Sequence, residues 1–132
     1  MKINEILKNT FHYDSLRPSQ VEPINLLCDI APPDMFCIFP TSAGKSLLYQ
    51  LPAIYKQMIT IIISPLLSLM QDQISRLRSL NLGAYSYSSD DSTNSKLDLS
   101  TIAFTQPQDI QYIYTTPESL QNDSFKRIVR QL

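Results

Sequence analysis

The run MITIIIS, Met58–Ser64, restricts the fold more than any other stretch of this chain. Its β-branched residues Thr60, Ile61, Ile62 and Ile63 follow one another with no polar alternation. That pattern describes a strand buried on both faces, and such strands belong to parallel sheets covered by helices. The neighbouring segments supply the matching parts. Leu66, Met70, Ile74 and Leu77 recur at helical steps, predicting a helix opened by Pro65 and ended by Asn81-Leu82-Gly83. AYSY (Ala84–Tyr87) and IQYIYTT (Ile110–Thr116) predict two further strands. MFCIF (Met35–Phe39) predicts a buried strand ahead of a helix from Lys45 that carries Leu47, Leu48, Leu51 and Ile54. Ile3, Ile6 and Leu7 predict an opening helix, and Pro18 a second one reaching about Ile30 with Val21, Ile24 and Leu27 on one face. Pro23 lies inside that second helix, where a lost donor costs about 3 kcal/mol, so the helix is expected to start late or bend. Ser88–Asp109 is polar, with weak helical spacing at Leu97 and Ile102 and an acidic start that reads as a solvated loop, and a last helix starts near Asp123 with Phe125, Ile128 and Val129 inward.

Strands alternating with helices require right-handed crossovers, so the expected class is α/β, a doubly wound, mostly parallel sheet. At 132 residues the chain is the size of one domain. Ligands of such sheets bind at the carboxyl ends of the strands. Pro40–Ser46, Ser64–Ser68 and Thr115–Glu118 each follow a predicted strand, and are expected to share that edge. A composition of 43% hydrophobic and 17% charged residues excludes a disordered chain. The net charge of -1 removes bulk attraction to nucleic acid, so such binding has to rest on particular residues. Cys28, Cys37 and His12 do not make a zinc ligand set, and reduced cysteines fit an intracellular protein. No secretory leader and no membrane-spanning run is present, so no membrane partner is expected.

The stretch FPTSAGKSLLYQ, Phe39–Gln50, carries the chemistry. It ends in the G-K-S of a phosphate-binding loop, with Phe39 where G-x-x-x-x-G-K-[ST] has its first glycine. In such a loop the amides of Thr41, Ser42, Ala43 and Gly44 turn into one concavity at a helix N-terminus. Gly44 allows the close approach of the chain, Lys45 reaches the β and γ phosphate oxygens, and Ser46 supplies the hydroxyl ligand for Mg²⁺. A chance tripeptide in a surface turn is the bland alternative, and the flanking strand and helix predicted here argue against it.

Three more stretches accompany that loop: FHYDSLRPSQ (Phe11–Gln20), ISPLLSLMQDQ (Ile63–Gln73) and YTTPESL (Tyr114–Leu120). In order and content, together with PTSAGKSLLYQLPA, they closely resemble the RecQ family of superfamily 2 DNA helicases, from Phe11 to about Leu120. The resemblance implies a RecA-like P-loop domain over residues 1–132, with residues 1–30 a helical segment that reads adenine. Gln20 would present its amide to the adenine edge, with Arg17 and Tyr13 packed against the base. The plainer reading is a surface ion pair for Arg17 and a first-turn position for Gln20. Ser64, Pro65 and Ser68 fall in motif Ia and Thr116 and Pro117 in motif Ib, which contact the backbone of one DNA strand in the family. Leu66, Leu67, Leu69 and Met70 are core residues on the same reading, and Pro117 and Glu118 also shape the turn.

The implied ligands are ATP, Mg²⁺ and single-stranded or partly duplex DNA, and the implied action is 3′-to-5′ helicase movement in recombination or repair. Expected location is the nucleus in a eukaryote, or the cytoplasm and nucleoid in a bacterium. The family's D-E-x-H box is absent from these 132 residues, and Asp90-Asp91 is a poor substitute. The sheet is therefore expected to be incomplete with open edges, lacking a Walker B strand and second motor domain, and a protein partner would complete the motor. Two other readings stay open. One is a non-catalytic module that binds ATP or a single strand and docks through its sheet edge. The other is a P-loop kinase or transferase, against which the Arg17/Gln20 stretch and motif Ia argue.

Overall fold

The computed structural model describes residues 2–39, 44–88 and 95–132, in two units, Met1–Met58 and Ile59–Leu132. In the first unit, helices α1 (Ile3–Asn9) and α2 (Pro18–Leu27) both pack on α3 (Leu47–Lys56). Ile6, Leu7, Phe11, Ile24, Leu47, Leu48 and Leu51 are buried. Helix α2 starts at Pro18 and not later, with Pro23 inside it. The carbonyl deprived of a donor by Pro23 is that of Ser19, an exposed residue, so water can take the bond. α2 stops at Leu27, short of the predicted Ile30. α3 ends where Gln57 turns left-handed, φ 54°, and the Met58 amide closes back on the Ala53 carbonyl at 3.1 Å.

The predicted strand Met35–Phe39 is not one. The described residues give it no ladder partner, and Phe36 and Ile38 are 99% and 92% exposed. Local preference for extended backbone does not make a strand; inter-strand hydrogen bonds and cross-strand side-chain pairs do.

The second unit holds β1 (Thr60–Ile63), α4 (Leu67–Ser79), β2 (Ala84–Tyr87), α5 (Ser95–Thr105), β3 (Tyr112–Thr115) and α6 (Asp123–Arg130). All three strands are parallel in the order β1-β3-β2, with Thr60 and Ala84 both opposite Tyr112. Because side chains alternate along a strand, Tyr85, Tyr87 and Ile113 share one face. That face packs with Leu99 and Ala103 of α5 and Phe125 and Ile128 of α6. Met70, Ile74 and Leu77 of α4 are buried outside that cluster, and α4 packs on β2. The arrangement is the doubly wound α/β class with an incomplete sheet. Ile61 and Ile63, which share one face of β1, are exposed, so this strand is not buried on both faces as expected.

Two further corrections concern local signals. The weak helical spacing in Ser88–Asp109 belongs to a full helix, α5, over Ser95–Thr105. Leu99 and Ala103, one helical turn apart, anchor it to the core, and the polar residues around them mask that short apolar face. Helix α4 begins at Leu67, with Pro65 two residues outside, and it ends on Asn81 at φ 63°. Asn81 thus takes the left-handed cap position, while Gly83 answers a different need. The Gly83 carbonyl accepts from the Gln111 and Tyr112 amides at 2.8 and 3.0 Å, and its amide donates to Gln111 Oε1 at 2.8 Å. A Cβ there would overlap the Asp109 carbonyl oxygen.

Tyr112 and Tyr114 lie on one face of β3, both buried. Burial, then the neighbouring Tyr114, pushes the Tyr112 phenol well above its ordinary range. The fold therefore favours the neutral phenol, and this contribution is fully present below the unfolded value of about pH 10. Above that pH the unfolded chain ionises first and stability declines. In urea titrations across alkaline pH, Tyr112→Phe is expected to show a shallower decline than the parent, and parallel curves would refute this.

Candidate nucleotide and nucleic-acid site

In the first unit the Gln20 side chain joins α2 to Gly44. Gln20 occupies the third position of α2 and is 4% exposed. Its Oε1 accepts from the Arg17 amide at 2.9 Å, the reach-back half of a capping box. Its Nε2 donates to the Gly44 carbonyl at 3.0 Å. Both ends of the amide are thus engaged, yet an amide oxygen has a second lone pair and an amide nitrogen a second hydrogen. Those are the groups an adenine edge requires. Gly44 is left-handed at φ 73°, and a Cβ on it would stand 2.5 Å from Gln20 Nε2 and beside the Arg17 guanidinium. Arg17, Gln20 and Gly44 therefore share one neighbourhood.

Lys45 is exposed just ahead of α3, and Ser46 is the N-cap of that helix without a side-chain capping bond. Their carbonyls take the first helical amides, those of Leu48 and Gln50, each at 3.1 Å. Glycine before lysine and serine at a helix N-terminus suits phosphate and its magnesium ion, and the left-handed backbone of Gly44 fits that use. Tyr13 is 38% exposed, its amide bonded to the Leu7 carbonyl at 3.0 Å. Thr41, Ser42 and Ala43 lie outside the described residues, as does the Asp90-Asp91 pair.

In the second unit the carboxyl ends of β1 and β3 meet, the Ser64 amide donating to the Thr115 carbonyl at 2.9 Å. Ser64 Oγ accepts from the Leu66 amide at 3.2 Å and so shapes the entry to α4. Pro65 and Ser68 are exposed beside it. Thr116 is different: it is buried, and its hydroxyl lies 2.8 Å from that of Ser119, itself fully buried. Pro117 is exposed at the same turn. The Thr115 hydroxyl donates to the Tyr87 carbonyl at 2.7 Å, tying β3 to β2. Sequence reasoning missed Ser119 and the Gln20–Gly44 bond; the T-x-x-S spacing signals the first, and no local pattern signals the second.

A parallel sheet wound on both faces by helices, and a glycine-lysine-serine loop heading a helix, define a RecA-like nucleotide-binding class. The DEAD/DEAH box helicase family profile matches residues 17–132, and the chain belongs to that family. It is homologous to the RecQ-type DNA helicases. It is 36% identical over 131 residues to ATP-dependent DNA helicase hus2/rqh1 of Schizosaccharomyces pombe, covering 96% of this chain and 10% of that protein. It is 35% identical over 119 residues to ATP-dependent DNA helicase Q1 of Rattus norvegicus, covering 90% and 19%. A putative ATP-dependent RNA helicase, R290 of Acanthamoeba polyphaga mimivirus, is 39% identical over 119 residues, covering 90% and 21%. The chain thus spans between a tenth and about a fifth of the length of these relatives. No helix among the described residues is long and apolar enough to cross a membrane.

Proposed function

We propose that the chain is the ATP-binding and strand-contacting part of the first motor domain of an ATP-dependent, 3′-to-5′ DNA helicase of the nucleus or nucleoid. The observation that carries this reading is the hydrogen bond from Gln20 to Gly44, which joins a base-reading amide to a phosphate loop. Gln20 would read the adenine edge with Arg17 and Tyr13 against the ring. Thr41, Ser42, Ala43, Gly44 and Lys45 would hold the phosphates. Ser46 would bind Mg²⁺, which when present neutralises charge on the β and γ phosphates. On the strand-contacting side, Ser64, Pro65 and Ser68 present the N-terminal end of α4 to a backbone phosphate. Thr116 acts through the turn it closes with Ser119, and Pro117 lies on the exposed side of that turn. Phosphate contacts alone do not separate DNA from RNA, and competition between the two strands decides that choice.

Titration of a fluorescent ATP analogue tests the proposal. Lys45→Ala is expected to weaken binding about 10- to 100-fold, since a hydrogen bond to a charged group contributes roughly 1.5–3 kcal/mol. Gln20→Ala is expected to abolish the preference for ATP over GTP. Unchanged affinity in Lys45→Ala would refute the phosphate site. With no adjacent Asp-Glu pair in its sequence, the 132-residue polypeptide alone is expected to bind ATP without enzymatic turnover. DNA-stimulated hydrolysis that Lys45→Ala abolishes would overturn that part.

A further inference from the structure

A cavity of about 470 Å³ opens where the end of α4, the start of β2 and α5 meet, lined by Arg78, Leu82, Gly83, Ala84, Tyr85, Thr101 and Ile102. It lies at the amino end of β2, whereas nucleotides and nucleic acid are expected at the carboxyl ends of the strands. Its organising group is Arg78. The Gly83 carbonyl is used by β3, so the next carbonyl, that of Ala84, points away from the sheet. Arg78 reaches past the strand from α4 and donates its Nε–H to that carbonyl at 2.9 Å. The same guanidinium lies over the Tyr85 ring, 5.1 Å from its centroid.

These two contacts fix the plane and direction of the guanidinium. Nε is occupied, while the N–H groups on the two Nη atoms remain available to an acceptor entering the cavity. Among the described residues no acidic side chain lines it, and no described carboxylate faces the guanidinium there. Leu82, Ala84 and Ile102 make apolar walls, with Thr101, among the described residues, the one other hydroxyl-bearing lining residue besides Tyr85. A planar fork matches a carboxylate, and apolar walls match methylene groups or an aliphatic neighbour better than a hydrated phosphodiester.

We propose that this cavity binds an acidic side chain of a partner peptide, with the carboxylate on the Arg78 Nη groups and an adjacent aliphatic side chain against Leu82 and Ile102. The occupant is a protein segment, and the surface is separate from the residues assigned to ATP and to the nucleic-acid strand.

The test is a titration of the 132-residue chain, followed by NMR at the Arg78 guanidinium and Tyr85 ring, at constant ionic strength. The probe is the dipeptide N-acetyl-Leu-Glu-amide, with its Leu-Gln counterpart, inorganic phosphate and a single-stranded oligothymidylate as comparisons. Saturable shifts with the glutamate peptide are expected, at least about tenfold weaker with the glutamine peptide and about tenfold weaker in Arg78→Gln. Backbone amide spectra of Arg78→Gln establish that the variant keeps its fold, and Ile102→Ala, which leaves the guanidinium in place, is expected to weaken the same peptide several-fold. No saturable shift up to tens of millimolar, or equal binding of the glutamine peptide, would overturn the proposal. So would tighter binding of phosphate or oligothymidylate at Arg78, which would make the site one for free anions or nucleic acid.

Discussion

Gly83→Ala is expected to cost about 3 kcal/mol of folding stability, the upper end of what overpacking a tight site costs. The added methyl group would fall on the Asp109 carbonyl oxygen, with the Asp109 carbonyl carbon close behind. Both are backbone atoms, and the neighbouring segment cannot shift alone. Gln111 bonds Gly83 through both its amide and its side chain, and Tyr112 begins the central strand. Relief of the overlap therefore requires the start of β3 to move away from the start of β2. With urea slopes of roughly 1–3 kcal/mol/M, the unfolding midpoint is expected to fall by about 1–3 M. A loss below about 0.5 kcal/mol would show that the two strands can separate freely at this point.

Gly44→Ala poses the opposite case. Its left-handed backbone costs a non-glycine residue about 1–2 kcal/mol, but the nearest obstacle is the end of a flexible side chain, Gln20 Nε2. Stability is therefore expected to fall less than in Gly83→Ala, and ATP affinity more, by tenfold or greater, because the amide next to Lys45 changes direction and the Gln20 bond is lost. A double-mutant cycle with Gln20→Ala separates the causes. If the clash with Gln20 matters, the loss caused by Gly44→Ala shrinks in the Gln20→Ala background. If the backbone conformation alone matters, the two losses add. Wild-type affinity in Gly44→Ala would refute the role of this loop.

What could be read from the sequence follows a physical division. The β1 and β3 runs, the α4 steps at Met70, Ile74 and Leu77 and the inward side of α6 announce themselves through local periodicity and are present, whereas Leu66 and Leu69, expected in the core, are exposed. Asn122 caps α6 by accepting the Ser124 and Phe125 amides, a local signal of the same kind. The misreadings arise where a distant partner decides. Met35–Phe39 has strand composition but no neighbouring strand among the described residues, and α5 mixes polar and apolar residues with no clear stripe but places Leu99 and Ala103 in the core. In the candidate site the same division holds. The helix after Gly44-Lys45-Ser46 was legible to within two residues, whereas the burial of Thr116 and the bond between Gln20 and Gly44 arise from tertiary packing.

The order β1-β3-β2 also governs when the second unit can form during synthesis. β1 and β2 have no hydrogen bonds with each other; each pairs with β3, the last of the three to leave the ribosome. Until Tyr112–Thr115 emerges, two apolar strands wait in the nascent chain with their backbone groups unpaired. Loop-closure entropy makes such distant pairing slow, and the interval leaves those segments open to chaperones and to neighbouring nascent chains.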